Sequence, residues 1–429
     1  MLGQSNDEQI CVDPSGKALS EEEATELSTA FFDQIEGASK YSVENTADIP
    51  ADVSFYSYIE EKAKDLFPDK RRRNLFLGIT ELWGCFVGGS IHTQSLKFLW
   101  LEQCLEGDNK FLAGTYQKVL QHIAKPALEK ESVSLDTEVT KIRSTVMEDR
   151  GPLIEIETSK GDVHIFDEVI VTTPLGFLKK NKDIFMPPLP DRLSQAIDSL
   201  GYGNLDKVCI TYPSAFWDTP LPSATTSRPD VRPASEISGN QTNGTDTTSN
   251  DVSASFIHWD RPNYTPSNPQ KWNIEGVSLS ALPPPCAHPT LLFYFSNGCS
   301  DHVASLLSKN PPSTPDGQKA LINFFTPYVS KLPNYNPNAP ECQPKAVLAS
   351  NWANDRLTGY GSYSNFPIGL ERGDEDIETM RHGMPERGIW LAGEHTAPFI
   401  ALGTVTGAYW SGERAAKRLL EVYGLEEKK

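Results

Sequence analysis

Residues 388–416 run Gly388-Ile-Trp-Leu-Ala-Gly-Glu-His-Thr396, then Ala397-Pro-Phe-Ile-Ala-Leu-Gly403, then Thr404-Val-Thr-Gly-Ala-Tyr-Trp-Ser-Gly-Glu-Arg-Ala-Ala416. Ile389 to Ala392 is an apolar run between glycines, the pattern of a buried strand. Glu394 follows at its C-terminal end, where open α/β sheets place ligand-binding groups. Gly403 opens a helix that continues to about Leu420. The first amides of that helix, near Thr404 and Val405, have no partners within it, so this end attracts negative charge. A reduced ring system with negative charge on one edge suits it. An ordinary C-terminal βα unit accounts for the same pattern equally well.

A chain of 429 residues suggests two domains, or three by length alone. The net charge of −18 argues against nucleic-acid binding through a broad basic surface. It is compatible with cationic substrates, although solubility explains it as well. The seven cysteines form no CxxC pair, which points to free thiols rather than a disulfide framework or zinc site. No metal-spaced cluster and no Ser-His-Asp set is present. No apolar run is long enough to span a membrane. The polar Met1-Leu-Gly-Gln-Ser-Asn-Asp-Glu start lacks a signal-peptide core, and the chain does not end in Ser-Lys-Leu. The expected location is therefore cytoplasmic.

The first hundred residues read as mostly helical. Ser20-Glu-Glu-Glu opens a helix with an N-cap and an acidic first turn, and Phe31, Phe32 and Ile35 form its apolar stripe. A second helical tract runs from about Val53 to Leu66. Lys70-Arg-Arg-Arg73 reads as a solvated helix face. Tyr116, Val119, Leu120 and Ile123 have helical spacing. Strands are expected at Val133–Leu135 and Val139–Ile142. A hairpin is expected from Leu153–Glu157 and Val163–Phe166 around Ser159-Lys-Gly-Asp162. Glu168–Pro174 reads as a buried strand stopped by proline. Arg192–Leu200 reads as a helix ended by Gly201, and Lys207–Tyr212 as a strand. Residues 219–251, rich in Ser, Thr, Asn, Gly and Pro, read as a disordered surface insertion. The sequons at Asn240, Asn243 and Asn263 carry no expectation of glycosylation without a signal peptide.

Four stretches now combine: FLAGTYQKVLQHIA from Phe111, DEVIVTTPLGFLK from Asp167, PPLP…AIDSLGYGNLDKV from Pro187, and GSYSNFPIGL…GIWLAGEHT…GTVTGAYWSGERAA from Gly361. In order and spacing the chain resembles the flavin-containing amine oxidase family, which includes polyamine oxidases, monoamine oxidases and lysine-specific histone demethylases. The nearest look is polyamine-oxidase-like. The resemblance implies an α/β fold of two domains. One is an FAD-binding domain with a parallel sheet, incomplete at its N-terminus, from 111–175 and 386–424. The other is a substrate domain of mixed sheet and helices, from 1–110 and 176–385. It implies FAD as cofactor, with a small-molecule amine and molecular oxygen as partners, and no nucleic acid.

The resemblance also implies roles. Lys207 in GYGNLDKV matches a lysine that holds water near flavin N5, although lysine on a strand is usually just exposed. Tyr363 and Trp352 match aromatics beside the flavin ring, which can hold an amine by stacking and cation–π attraction. Core packing is the commoner role for such residues. Glu394 matches the acid that accepts hydrogen bonds from the cofactor's polar linker. Gly403, Thr404 and Val405 match the helix start under the flavin, where a plain N-cap is the alternative. Val139 matches the strand residue whose backbone meets the adenine, and it also serves core packing. Thr404 is small where many polyamine oxidases have an aromatic; histone-demethylase-like members have a small residue there. His395 is expected to be structural.

The family's strand–GxGxxG–helix unit, which seats the pyrophosphate, is not found in the sequence. The Gly201/Gly203 and Gly359/Gly361 pairs do not begin such a unit. Either the chain is a piece of a longer enzyme or it is a short form with weakened FAD binding. Three readings follow: an FAD-dependent amine oxidase that forms hydrogen peroxide, impaired in this form; a non-catalytic remnant that binds a ligand or partner; and a histone-demethylase-like enzyme. With no cysteine in GSYS or GEHT, the FAD is expected to be non-covalent.

Overall fold

The computed structural model describes residues 9–103, 105, 112, 115–129, 133–147, 151–218 and 255–425. The insertion at 219–251, with Asn240 and Asn243, lies outside them.

Ser20 caps α1 (Glu21–Asn45), its hydroxyl accepting from the Glu23 amide at 3.3 Å. Ser54 caps α2 (Phe55–Leu66) and Asp69 caps α3 (Lys70–Thr80) in the same way. Their apolar stripes meet in one helical core that includes Leu27, Phe31, Phe55, Ile59 and Phe76. Basic residues at the start of α3 oppose its dipole. Arg71 and Arg72 offset this by pairing with Glu23 and Glu26 of α1. The first hundred residues are mostly helical, as read, with one strand that was not expected. Gln9–Val12 forms strand β1, parallel to Phe256–Trp259. Four residues are too few to show period-2 alternation, and the pairing partner is remote in sequence.

The middle of the chain supplies α4 (Gly84–Val87), α5 (Thr115–Leu128), β2 (Val139–Met147), β3 (Gly151–Thr158), β4 (Val163–Phe166), β5 (Val169–Val171), α6 (Leu175–Lys180), β6 (Phe185–Met186) and α7 (Asp191–Ser199). The hairpin forms as read, with Gly161 at φ +84° in its turn. Val133–Leu135 is not a strand: it is exposed and pairs with nothing among the described residues. Gly201 does not cap α7 in a left-handed conformation. It begins β7 (Gly201–Gly203), which leads into β8 (Leu205–Thr211).

The remainder adds β9 (Phe256–Trp259), β10 (Ile274–Ser278), β11 (Thr290–Ser296), α8 (Asn297–Leu307), α9 (Pro315–Val329), β12 (Ala346–Ala349), β13 (Tyr363–Asn365), α10 (Gly373–His382), β14 (Ile389–Leu391) and α11 (Val405–Val422). The fold is α/β, built on a six-stranded mixed sheet in the order β1-β9-β10-β11-β8-β12. One face of this sheet carries Ile257, Phe293 and Val208, all fully buried in the same core as Leu321, Phe324 and Phe325 of α9. β14 and β5 form a separate parallel pair, Ile389 opposite Val169 and Leu391 opposite Val171. A four-stranded sheet, β4-β3-β2-β6, shares a core with that pair.

α5 has the expected apolar stripe but buries none of it. Tyr116 is 55% exposed and Leu120 66%. Periodicity predicted the helix correctly; it could not say that the stripe lacks a cover. Exposed apolar area of this kind binds apolar probes and promotes association. Leu120→Gln is therefore expected to reduce anilinonaphthalene-sulfonate fluorescence and self-association. Its cost in stability should stay within about 0.5 kcal/mol, as for other exposed sites. A melting shift larger than that would place Leu120 in a packed contact.

Candidate functional site

Four segments converge where β7 meets β13. Tyr363 lies opposite Gly203 and Asn365 opposite Gly201. Glycines allow that approach. A Cβ on Gly203 would lie 2.5 Å from the Gly88 carbonyl oxygen, and one on Gly361 would lie 2.6 Å from the Gly203 oxygen. Ser362 ties the junction further: its amide donates to Gly203 O at 2.7 Å, and its hydroxyl accepts from the Leu205 amide at 2.9 Å. β13 is thereby held against the strand that carries Lys207.

Beside β13, Glu394 sits in the turn after β14. Its carboxylate accepts from the Ser364 amide at 3.1 Å and from the Ser364 hydroxyl at 2.6 Å. The Gly403 amide is a third donor. Burial outweighs these bonds and raises Glu394 to about 7. Glu102, buried on the turn after Leu99, is raised to about 8, first by burial and also by Glu394; the Phe366 amide works against the shift. Sequence reasoning missed Glu102. The signal was present, since it follows the apolar run Phe98-Leu-Trp-Leu.

Gly403 adopts φ +67°, and a Cβ there would touch the Tyr363 ring at 3.4 Å. The Tyr363 hydroxyl donates to the Phe86 carbonyl. Thr404 is the N-cap of α11: its hydroxyl accepts from the Gly407 amide at 2.9 Å. The helix itself begins at Val405, one residue later than read. Its first backbone bond runs from Ala408 N–H to Thr404 C=O, so the Val405 and Thr406 amides point out of the helix end without intrahelical partners. Val405 is exposed. His395 is buried, with neither ring nitrogen hydrogen-bonded. Burial lowers it to about 4, so it stays neutral.

Lys207 and Trp352 are joined by Asp206. This buried carboxylate accepts from the Ser350 hydroxyl at 2.8 Å, the Trp352 amide at 2.9 Å and the Ser300 hydroxyl. Ser350 in turn bonds the Lys207 backbone, accepting from its amide at 2.8 Å. Lys207 is exposed, its ammonium 5.4 Å from the Tyr294 ring centre, and among the described residues it has no ion pair. Trp352 is 39% exposed and lines a cleft with Asn351 and Asp355. The structure thus brings Tyr363, Glu394, Gly403 and Thr404 together and links them through β7 to Lys207 and Trp352. Val139 stands apart, opposite Thr158 in the four-stranded sheet, half-buried against its core.

These residues fit the ring end of a flavin. An open helix N-terminus, a glycine in left-handed backbone and an aromatic wall lie side by side. No group of three or more metal-ligating side chains occurs among the described residues, and no described helix is long and apolar enough to cross a membrane.

The family profile described as flavin-containing amine oxidoreductase matches residues 25–420. Polyamine oxidase 2 of Arabidopsis thaliana is 25% identical, over 96% of this chain and 70% of its own. Lysine-specific histone demethylase 1 homolog 3 of the same plant is 33% identical, over 74% of this chain but 16% of its own. Histone demethylase-like protein A of Aspergillus fumigatus is 27% identical, over 74% of this chain and 25% of its own. The chain therefore spans a quarter or less of these two demethylase relatives. A solved putrescine oxidase with redesigned cofactor binding superposes with a TM-score of 0.62 at 14% identity, covering 97% of this chain and 82% of the other. It shares the fold. The chain belongs to the flavin-containing amine oxidoreductases.

Glu102 and Glu394 make stability depend on pH in a defined direction. Each binds its proton more tightly folded than unfolded, so their cost is absent well below the ordinary value of 4.5 and grows as pH rises toward about 7 and 8. The melting temperature should fall by several degrees between those limits. Glu102→Gln should flatten that slope. An unchanged slope in Glu102→Gln would show that this carboxyl does not titrate there.

Proposed function

We propose that this chain carries the substrate side and part of the cofactor side of an FAD-dependent amine oxidase acting on polyamines or related secondary amines. The observation that carries this reading is the junction of β7 and β13, which links Tyr363, Gly403 and Thr404 to Lys207 and Trp352. FAD, if bound, would supply a hydride acceptor for the amine α-carbon, with molecular oxygen as the final electron acceptor, so that the products would be hydrogen peroxide and an imine that water hydrolyses.

The chain's residues supply position and electrostatics. The Val405 and Thr406 amides offer an electropositive end to the ring edge that becomes negative. Tyr363, oriented through its hydroxyl by the Phe86 carbonyl, forms one wall for the amine. Trp352, with its backbone fixed by Asp206, forms another on the Lys207 side. A neutral amine nitrogen is required for hydride loss. The aromatic faces favour holding it there with no side-chain base, which agrees with a neutral, buried His395. Lys207 serves as a cation that orders water near the reacting edge. Its exposure leaves that charge weakened by solvent, so its effect should be one of rate rather than of cofactor binding. Glu394 holds the turn before α11 and is the acceptor for the cofactor's hydroxyls. Val139 would lie near the adenine end. A cytoplasmic location belongs to this reading as well.

A second reading has its own support. Thr404, at the N-cap of α11, is a small residue, as in histone-demethylase-like members, and the two demethylase relatives match three-quarters of the chain. An N-methylated lysine on a peptide is then the amine.

Purified protein supplemented with FAD separates these readings. Peroxide release on spermidine, and none on a dimethyl-lysine peptide, is expected; the reverse selectivity would favour the second reading. FAD retained after gel filtration should be far below stoichiometric, because the described residues offer no helix end for the pyrophosphate. Each charge-assisted bond absent there is worth about 1.5–3 kcal/mol. Lys207→Met should slow flavin reduction or reoxidation in stopped flow about tenfold or more while flavin affinity stays the same. Unchanged half-reactions would return Lys207 to the role of a surface lysine.

A further inference from the structure

β4 is the last strand of the four-stranded sheet, and every one of its residues is exposed. Val163 is 59% exposed and Ile165 61%. An unpaired edge is a template for another strand, and folded proteins blunt it with charge, proline or a bulge. The opposite edge of the same sheet is blunted in this way: β6 is only Phe185–Met186 and stops at Pro187. β4 holds no Lys, Arg, Asp, Glu or Pro, and its ladder with β3 runs unbroken from Val163 opposite Glu157 to Phe166 opposite Ile154.

That ladder decides which backbone groups of β4 are free. At the hairpin turn the Thr158 amide donates to the Asp162 carbonyl at 3.0 Å, so these two residues form a hydrogen-bonded pair. Bonded and non-bonded pairs alternate along an antiparallel ladder. His164 and Phe166 therefore turn their N–H and C=O groups toward β3, while Val163 and Ile165 turn theirs outward. Outward groups on an open edge fit one more strand.

β4 of a second copy meets this requirement in one register. Antiparallel and centred on His164, Val163 lies opposite Ile165 of the other copy and Ile165 opposite its Val163, so outward groups meet outward groups on both strands. A shift of one residue sets them against groups already bonded to β3. Centring on Val163 runs Ile165 against Gly161, which has φ +84° in the turn. Centring on Ile165 places Asp162 opposite Glu168, and like charges facing across strands are unfavourable. The His164 register instead brings Lys160 of one copy beside Glu168 of the other. On one face it joins the Val163 and Ile165 side chains of both copies as β-branched cross-strand pairs. Beside that cluster the charges of β3 and β2 are balanced, with Glu157 3.9 Å from Lys141 and Glu155 3.9 Å from Arg143.

We propose that β4 is a self-association edge, on which a second copy of this chain pairs antiparallel about His164 and joins two four-stranded sheets into one. The pairing is independent of the amine-oxidase reading. The paired stretch is short, so the dimer is weak and forms as concentration rises.

Sedimentation velocity of the full chain over a roughly hundredfold range of concentration tests this. The same series in Leu120→Gln separates any association through the α5 stripe. A monomer–dimer equilibrium is expected in both. Ile165→Pro removes an outward N–H from each copy and leaves the ladder with β3 whole. It should weaken the dimer about tenfold or more while the melting temperature of the dilute monomer stays the same. If Ile165→Pro loses its cooperative melt, Ile165→Lys takes its place with the same expected loss. Cysteine cross-linking reads the register. Residues directly opposite in a non-bonded pair have Cα atoms about 4.5 Å apart, within disulfide reach. His164→Cys should therefore give a covalent dimer on mild oxidation and Val163→Cys should not, with the unaltered chain as control for its own seven cysteines. A dimer undiminished in both Ile165 variants, or equal cross-linking from His164→Cys and Val163→Cys, overturns the proposal. A chain that stays monomeric at every concentration leaves the edge to a strand from another protein and overturns the second copy as its occupant.

Discussion

Backbone contact at a seam of glycines is the constraint on which the rest of this structure depends. Gly88, Gly203 and Gly361 come from three remote segments and meet so closely that a Cβ on Gly203 or Gly361 would overlap backbone, while Gly88 itself adopts φ +65°. A Cβ on Gly359 would likewise run into the Gly176 backbone. The seam places the loop after α4, the strand leading to Lys207 and the strand carrying Tyr363 within hydrogen-bonding distance of one another. A side chain at Gly203 would run into the Gly88 backbone and the Asn365 side-chain amide, and so push the loop after α4 away from β7. The energetic argument is one of close packing: backbones in contact cannot relax around an added methyl group as flexible side chains do.

Three carboxylates show how differently burial can be used. Asp206 is surrounded by donors from three elements and acts as a fastener for the Trp352 loop. Glu394 also has three donors, yet burial outweighs them and still raises it; its charge in turn helps to raise Glu102. Glu275 of β10 has no such donors and faces the neutral imidazole of His258. The first is satisfied, the second is held near its titration point, and the third lacks a cation. Glu394 and Glu275, both raised by burial, have a reason to respond to pH.

The apolar stripe of α5 is uncovered among the described residues, whereas the six-stranded sheet is packed on its α9 face. The short parallel pair β5–β14 is consolidated through the core it shares with the four-stranded sheet. A wide apolar core resists opening, while an exposed helix contributes little cooperative stability.

Much of this was legible in the sequence. The cap at Ser20, the hairpin at Gly161, the strand at Ile389 and the helix after Gly403 are local, and local sequence carries their chemistry. The Gly201/Gly203 and Gly359/Gly361 pairs could be recognised as unlike a phosphate loop, although not as two sides of one seam. What the sequence could not reveal were contacts set by register and by distant partners. β1 is recognisable only once β9 lies beside it, and Val133–Leu135 had strand-like residues but no neighbour to pair with. Lys207 and Tyr363 could be singled out by motif and Glu102 only by the apolar run before it, while Glu275 could not, because nothing around it in the chain says that water is excluded. Burial and cross-strand opposition arise when segments hundreds of residues apart are packed together, and a one-residue change in register would have turned Glu275 to the apolar face. The sequence by itself determined the elements, their caps and the family's motifs; tertiary packing alone decided which charged groups are left without water.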